Sequence, residues 1–363
     1  MNVGIDARKY FDFGIGTYIR NLAGYFDRQN GDRFTYFVRP EDAGLISSTH
    51  RGVTIVNTSG KYSARELVSV SFQANRAGIS VFHAPHYTLP FRLAMRRVVT
   101  IHDVIHLRFP EYFSGIQGAY ARLVIGHACR AADAVIVDSE FAGSELVRFV
   151  PGTNDKLHVI PLGVSSDFAP GGKESDSPAF RKAHDIEGPY LLYVGSLKPH
   201  KNVGTLLRSF ARLGSKAGIT LVLVGERLES DSSLSGISAG AGIVDRVRSL
   251  GWLTETDLIQ AYRGATAVVL PSLYEGFGFP VLEAMACGTP VIASKAASIP
   301  EVMGDAGIMV DPASQAEMSD AIESVIDDPS LRMSLREKGL QRAKLFGWDR
   351  CAEATLNLYR SLE

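Results

Sequence analysis

The chain has 363 residues, 45% apolar and 21% charged, with a formal net charge of −1. This is globular composition, long enough for two cores of ordinary size, and it lacks the cationic excess of a protein that binds nucleic acid. Cys129, Cys287 and Cys351 are odd in number and widely spaced, which excludes a disulfide framework and offers no metal-ligand pairing. The opening MNVGIDARKY has no basic segment followed by an apolar one, and no run of about 18 apolar residues occurs. A cytoplasmic protein without a signal peptide or spanning helix is therefore expected. Residues 1–170 hold 18 Lys+Arg against 15 Asp+Glu, and residues 171–363 hold 20 against 24. A basic first half suits a phosphate-bearing substrate or peripheral contact with the inner face of a membrane, although so small a difference also arises from solvated faces.

In chain order, short apolar runs of strand length alternate with longer segments of helical spacing: VGIDA then IGTYIRNLAGYF, RVVTIHDV, AVIVDS then EFAGSELVRFV, and KLHVIPLGV. That alternation predicts parallel βα units. APGGKESDSPAF, residues 169–180, gathers Pro, Gly, Ser and charge without periodicity and reads as a linker between domains 1–168 and 181–347. The alternation restarts with YLLYVGS, VGTLLRSFARLG, ITLVLVGE, DLIQAYRGA, TAVVLPS, PVLEAMACG, TPVIAS and AGIMVDP. Between Val224 and Val244 the Gly/Ser-rich SDSSLSGISAGAG predicts a mobile loop. AEMSDAIESVIDDPSLRMSLREKGLQRAKLF reads as two helices, and Trp348 to Leu362 as a third that begins after Gly347. The fold class is α/β, with two Rossmann-like parallel-sheet domains.

Ligands of open parallel sheets sit outside the carboxyl ends of the strands, so polar residues directly after each run are the candidates. Gly14-Ile15-Gly16-Thr17 opens a helix Tyr18–Phe26 after the first strand. Such glycines let backbone N–H groups approach an anion, or only let the helix pack closely on the strand. The third glycine of a dinucleotide fingerprint is missing, as is an acidic residue about 20 positions on. His102 and Asp103, with His106 beyond, end another strand. They suit a sugar contact or proton handling; alternatively Asp103 caps a loop beside a satisfied histidine.

In the second half, YVGSLKPHKN joins a strand to a helix. Gly195 permits a tight turn, Ser196 offers a hydroxyl, and Lys201 adds charge near a helix start, which together suit a diphosphate unless the lysines are merely solvated. In PSLYEGFGFPVLEAM, Glu275 lies in a glycine-rich turn and Glu283 inside an apolar helical run. A carboxylate there costs stability unless partnered, by two hydroxyls of one ribose or by nearby amides. Gly276 and Gly278 present bare N–H groups to a sugar hydroxyl or a leaving phosphate.

EGFGFPVLEAMACGTPVIAS resembles the E-x7-E signature of the GT4 glycosyltransferases, retaining enzymes of the GT-B fold, with Glu275 and Glu283 on its two acidic positions. GIDAR…GIGTYIRNL, TIHDVIHLRFPEYF, VDSEFAGSEL, VIPLGV and YVGSLKPHKNVGTLL are similar, in the same order, to segments of its mannosyltransferase-like branch. The resemblance implies two Rossmann-like domains facing across a cleft that closes on substrates, with helix 348–363 crossing back to the first domain. It implies that Glu275, Gly276, Phe277 and Gly278 hold the donor sugar and Glu283 the ribose. Gly195, Ser196 and Lys201 would hold the diphosphate, approached from the other domain by Gly16; His102 would lie beside the sugar, and backbone around Leu253 would read the base. Asp103 and His106 are acceptor-side candidates. Many members carry Arg where this chain has Ser196, so Lys198, His200 or Arg8 would have to help Lys201.

The implied partners are a nucleotide-sugar donor, with GDP-mannose the first choice, and a saccharide or lipid-linked saccharide acceptor of surface polysaccharide synthesis. No metal and no other cofactor is expected, because Lys201 can meet the leaving charge. His102, Glu275 and Lys201 are the catalytic candidates. Rival readings are a GT-B sugar-nucleotide epimerase or phosphorylase, a non-catalytic nucleotide-sugar-binding subunit and, last, a nicotinamide dehydrogenase.

Overall fold

Apolar runs of three to six residues become strands, and the inner strands of each sheet are buried along almost their whole length, as required of parallel sheets covered on both faces. A computed structural model describes residues 1–12, 14–50, 53–56, 66–171, 178–214 and 218–363. It contains two compact units, Met1–Gly163 with Gly347–Glu363, and Val164–Phe346.

In the first unit, β1 (Asn2–Asp6), β2 (Arg33–Val38), β3 (Val53–Val56), β4 (Val81–Ala84), β5 (Arg96–Ile101), β6 (Ala134–Val137) and β7 (Leu157–Val159) form a 7-stranded sheet ordered β3-β2-β1-β4-β5-β6-β7. Every pairing is parallel. The strand order reverses between β1 and β4. The terminal helix Trp348–Ser361 belongs to this unit. Its Tyr359 hydroxyl lies 2.6 Å from Nδ1 of the fully buried His83, whose Nε2 lies 2.7 Å from Thr100 Oγ1. Arg360 pairs with Asp32 at 2.8 Å.

The second unit holds β8 (Tyr190–Gly195), β9 (Thr220–Gly225), β10 (Val247–Gly251), β11 (Ala267–Leu270), β12 (Val291–Ser294) and β13 (Ile308–Val310) in the order β10-β9-β8-β11-β12-β13, again all parallel. Its reversal lies between β8 and β11. At the ends of β8 and β9 two glycines face each other: a Cβ on Gly225 would fall 2.0 Å from the Gly195 carbonyl oxygen. Only glycine lets these two strand ends close together beside the reversal.

Three expectations change. The Gly/Ser-rich segment before Val244 holds a helix, Ser232–Gly240: the Asp231 side chain accepts from Leu234 N, and Leu234 and Ser238 are buried. An N-cap and an inward stripe outweigh low helix propensity. The first helix begins at Ile15 and not at Tyr18. The passage between units falls at Gly163–Val164 and Phe346–Gly347. It precedes the 169–180 stretch, because Arg263 Nε binds the Ala169 carbonyl at 2.8 Å and ties that segment to the second unit. Of that stretch, 172–177 lie outside the described residues, and Pro178–Ala183 is helical.

Candidate active site

A strand-order reversal opens a crevice at the carboxyl ends of the two strands that flank it. In the second unit those strands are β8 and β11. The loop after β8 carries Lys201 and the loop after β11 carries Glu275. They meet there: Lys201 Nζ donates to both Glu275 oxygens, at 2.7 and 2.8 Å. Ser272 Oγ donates to Glu275 Oε1 at 2.7 Å. Asn202, at φ 57°, sends its side-chain amide to the carbonyls of Pro271 and Pro312, and Leu273 N donates to the His200 carbonyl. The β8 loop is thus strapped to the β11 loop. Ser298 Oγ contacts the carbonyls of Glu275 and Phe277 at 3.0 Å each, fixing the glycine turn from below.

The helix Phe279–Cys287 starts from Gly278, at φ 100°, with Pro280 in its first turn. Glu283 lies on it. Its Oε2 accepts from Tyr262 OH at 2.7 Å, and burial pushes its pKa up to about 7, against the opposing effect of that hydrogen bond. The carboxyl has no cationic partner among the described residues. At the end of β9, Glu226 Oε2 accepts from Leu197 N at 2.8 Å, so a second carboxylate stands beside the Ser196 turn.

In the first unit, Asp6 and Arg8 end β1 as a two-pronged pair, Arg8 Nε to Asp6 Oδ1 at 2.8 Å and Nη2 to Oδ2 at 2.5 Å. His102, at the end of β5, donates Nε2–H to the Pro85 carbonyl at 3.1 Å and sets Nδ1 2.7 Å from Asp138 Oδ2, at the end of β6. Burial alone would lower the His102 pKa, but the Asp138 carboxylate raises it above its ordinary value. The Tyr18 ring stands edge-on to the imidazole at 5.1 Å.

Residues 14–168 match the family model described as Glycosyltransferase Family 4, and residues 176–342 the one described as Glycosyl transferases group 1. The chain is 34% identical over 284 residues to the O-antigen chain mannosyltransferase B of Escherichia coli, a match covering 78% of this chain and 74% of that protein. This chain belongs to the GT4-type glycosyltransferases of GT-B fold. Identity is 30% over 277 residues with a D-inositol 3-phosphate glycosyltransferase of Acidothermus cellulolyticus, covering 72% of this chain but only 61% of that one. The solved Anabaena Alr3699/HepE, in complex with UDP-glucose, shares the fold with a TM-score of 0.81 over 100% of each chain at 19% identity.

Within this GT4 chain the expected residues divide. Lys201 and Glu275 share one cluster, with Gly195, Ser196, Gly276 and Gly278 on the same two loops. Leu253 follows the end of β10, at the edge of the sheet and two strands from β8, and Glu283 lies about one helical turn past the glycine turn. Phe277 contributes no side chain to that surface: its ring is buried edge-on against Phe279 and Phe346. Gly16 gives its N–H to the Asp12 carbonyl, and a Cβ there would meet the Tyr10 carbonyl at 2.4 Å, so close packing of its own chain accounts for this glycine. Asp103 Oδ1 accepts from Ile105 N as a cap, and His106 stacks on Phe113 at 4.1 Å. Of the helpers suggested for Lys201, Arg8 is bound to Asp6 and His200 is buried.

Residue types alone did not point to Tyr262, Ser272, Ser298, Asn202 or Asp138. Asp138 was within reach of the rule that singled out His102, since it is a carboxylate directly after an apolar strand. Tyr262, Ser298 and Asn202 act through partners distant in sequence, and Ser272, three residues before Glu275, is an ordinary loop serine until that bond is seen.

Proposed function

We propose that this enzyme transfers mannose from GDP-mannose, with retention of configuration, to a saccharide or lipid-linked saccharide in surface polysaccharide synthesis. The observation that carries the reading is the Lys201–Glu275 pair at the β8/β11 reversal, held by loop straps that need neither side chain. In this reading Lys201 turns to the β-phosphate as negative charge develops there, and Glu275 and the Gly276 and Gly278 amides take the sugar hydroxyls. Glu283 takes the ribose, Ser196 the diphosphate, and backbone at Leu253 the base. The acceptor oxygen bonds to C1 on the face from which the C1–phosphate bond breaks, and its proton passes to the leaving phosphate oxygen. The choice of mannose rests on the name of the Escherichia coli relative. GDP, UDP and ADP sugars assayed against lipid-linked acceptors, with products weighed by mass spectrometry, test it. Mannosyl product from GDP-mannose is expected; product from UDP-sugars alone would overturn the donor assignment.

A lipid-linked acceptor requires access to a membrane, and no helix among the described residues is long and apolar enough to cross one. The helix Gly115–Ala131 buries Ala121, Val124, Ile125 and Ala128 and turns Ile116 and Leu123 outward, 85% and 70% exposed. Phe91 packs on His127 of that helix, and Ser71, next to the exposed Phe72, binds the Phe91 carbonyl. Residues 67–102 and 112–132 contain no Asp or Glu but hold Arg76, Arg92, Arg96, Arg97, Arg122 and Arg130. Arg96 and Arg97 share Asp133, and apolar side chains beside the remaining cations suit an anionic lipid surface. Flotation with phosphatidylglycerol vesicles is expected and should be lost in Leu123→Glu; equal flotation with neutral phosphatidylcholine vesicles would reject the electrostatic basis.

A further inference from the structure

The sheet of the second unit has a second cavity at its opposite edge. Pro189, Ile219, Thr266 and Pro290 immediately precede β8, β9, β11 and β12, and all four line a cavity of about 520 Å³. It lies at the amino ends of the strands, away from Lys201 and Glu275. Three arginines share its wall: Arg263, Arg332 and Arg336.

Each is anchored by backbone carbonyls. Arg332 Nη1 donates to the carbonyls of Val325 and Ile326, in the last turn of the helix Gln315–Asp327, at 2.6 and 2.7 Å. Arg336 Nη1 donates to the Gly288 carbonyl, beyond the helix Phe279–Cys287, at 3.1 Å. Arg263 holds the carbonyls of Ala169 and Asp167. Arg8, Arg97 and Arg360 pair with Asp6, Asp133 and Asp32, whereas Arg342, Arg227 and Arg248 bind backbone carbonyls; what distinguishes this edge is that three such arginines line one cavity. Among the described residues no ion pair involves Arg263, Arg332 or Arg336. Asp328, four residues before Arg332, uses its Oδ1 to cap Ser330 N and Leu331 N, and Glu337, next to Arg336, is exposed and in no ion pair among the described residues.

Helix capping explains two of these anchors, but it uses only part of each five-donor guanidinium and does not require three of them around one cavity. The partial charge of a helix C-terminus, about half a unit, does not neutralise a full cation. The wall therefore carries uncompensated positive charge and rigidly oriented donors, and the volume falls in the range of small-molecule sites, about 300–1,000 Å³.

We propose that this edge is an anion site that takes free phosphate, separate from the nucleotide-sugar site at the carboxyl edge. Inorganic phosphate is the probe, titrated calorimetrically into the full chain at constant ionic strength, with tungstate-soaked crystals to locate the anion. Binding is expected, with tungstate between the guanidiniums of Arg332 and Arg336. Exposed Met333 lies on the cavity wall and caps no helix in any hydrogen bond described above. Met333→Glu should weaken phosphate by at least about tenfold, the equivalent of 1.4 kcal/mol, at unchanged melting temperature, and Met333→Gln should not. Arg332→Met with Arg336→Met should abolish binding; if that pair fails to fold, the Met333 comparison still decides. Tungstate at the carboxyl edge alone, or equal phosphate affinity in wild type and Met333→Glu, overturns the proposal.

Discussion

At the reversal of the first sheet, Asp6 and Arg8 come from one strand end, two residues apart, with side chains 8% and 4% exposed. At the reversal of the second, Lys201 and Glu275 come from strand ends 74 residues apart, with 17% and 10% exposed. Both pairs are short and well aligned, so bond length does not separate them. Connectivity does. The Asp6–Arg8 pair is made by two residues of one strand end, so the local chain itself brings the charges together. Lys201 and Glu275 are brought together by loops that Asn202, Ser298 and the Leu273–His200 bond hold in place. None of these straps uses the Lys201 or the Glu275 side chain.

Substitution should separate the pairs, and this is the largest effect expected. Lys201→Ala and Glu275→Gln should each lower kcat by at least about 10²-fold, the scale of removing one preorganised electrostatic contact. Arg8→Met should instead cost roughly 3–5 kcal/mol of stability by stranding the Asp6 carboxylate. Urea unfolding and steady-state kinetics on the purified variants measure both. An Arg8→Met protein as stable as wild type, or a fully active Lys201→Ala protein, would break the distinction.

The fold was legible because strands and helices announce themselves locally: AVIVDS and TAVVLPS are short apolar runs ending in polar residues, and they form the interior strands β6 and β11. The strands β2, β3 and β4 were passed over, since FTYFV, VTIV and VFHA lack a clear helical segment after them to complete a βα unit. Glu275, Glu283 and Lys201 were legible as chemistry out of place, a carboxylate in an apolar helix or a cation at a helix start. Ser298 and Tyr262 were not, because a serine or tyrosine is unremarkable until its partner is known, and the partners lie 23 and 21 residues away. Gly16 shows the converse: a glycine that looked ready for an anion is required by its own chain.

A smaller effect concerns the histidine of the first unit. Asp138 Oδ2 faces His102 Nδ1, while its Oδ1 is buried without a partner among the described residues. Asp138→Asn removes the attraction that lifts His102, so burial should carry the imidazole below its ordinary pKa. Two-dimensional NMR titration of the ring should show that drop, with roughly 2–3 kcal/mol lost in urea at pH 6. If His102 titrates unchanged in the variant, the pair does not set its charge.

Glu283 sharpens the same contrast with the smallest effect. Asp138 faces a histidine, whereas Glu283 faces the Tyr262 hydroxyl, and burial pushes its folded pKa up to about 7. The folded chain binds this proton more tightly than the unfolded chain, whose glutamates titrate near about 4.3. The stabilisation is complete below that value, declines as pH rises through the interval, and is lost above pH 7. Glu283→Gln keeps an acceptor for Tyr262 and removes the charge. It should match wild type near pH 4 and exceed it at pH 8 by on the order of 1–2 kcal/mol in urea unfolding. A pH-independent difference would mean that hydrogen bonding, not charge burial, governs this position. Under the proposed ribose role the stabilised variant should also bind nucleotide sugar more weakly, because an amide cannot reproduce a carboxylate that accepts from two hydroxyls; gain of stability with loss of affinity is the signature of a charge kept buried for a ligand.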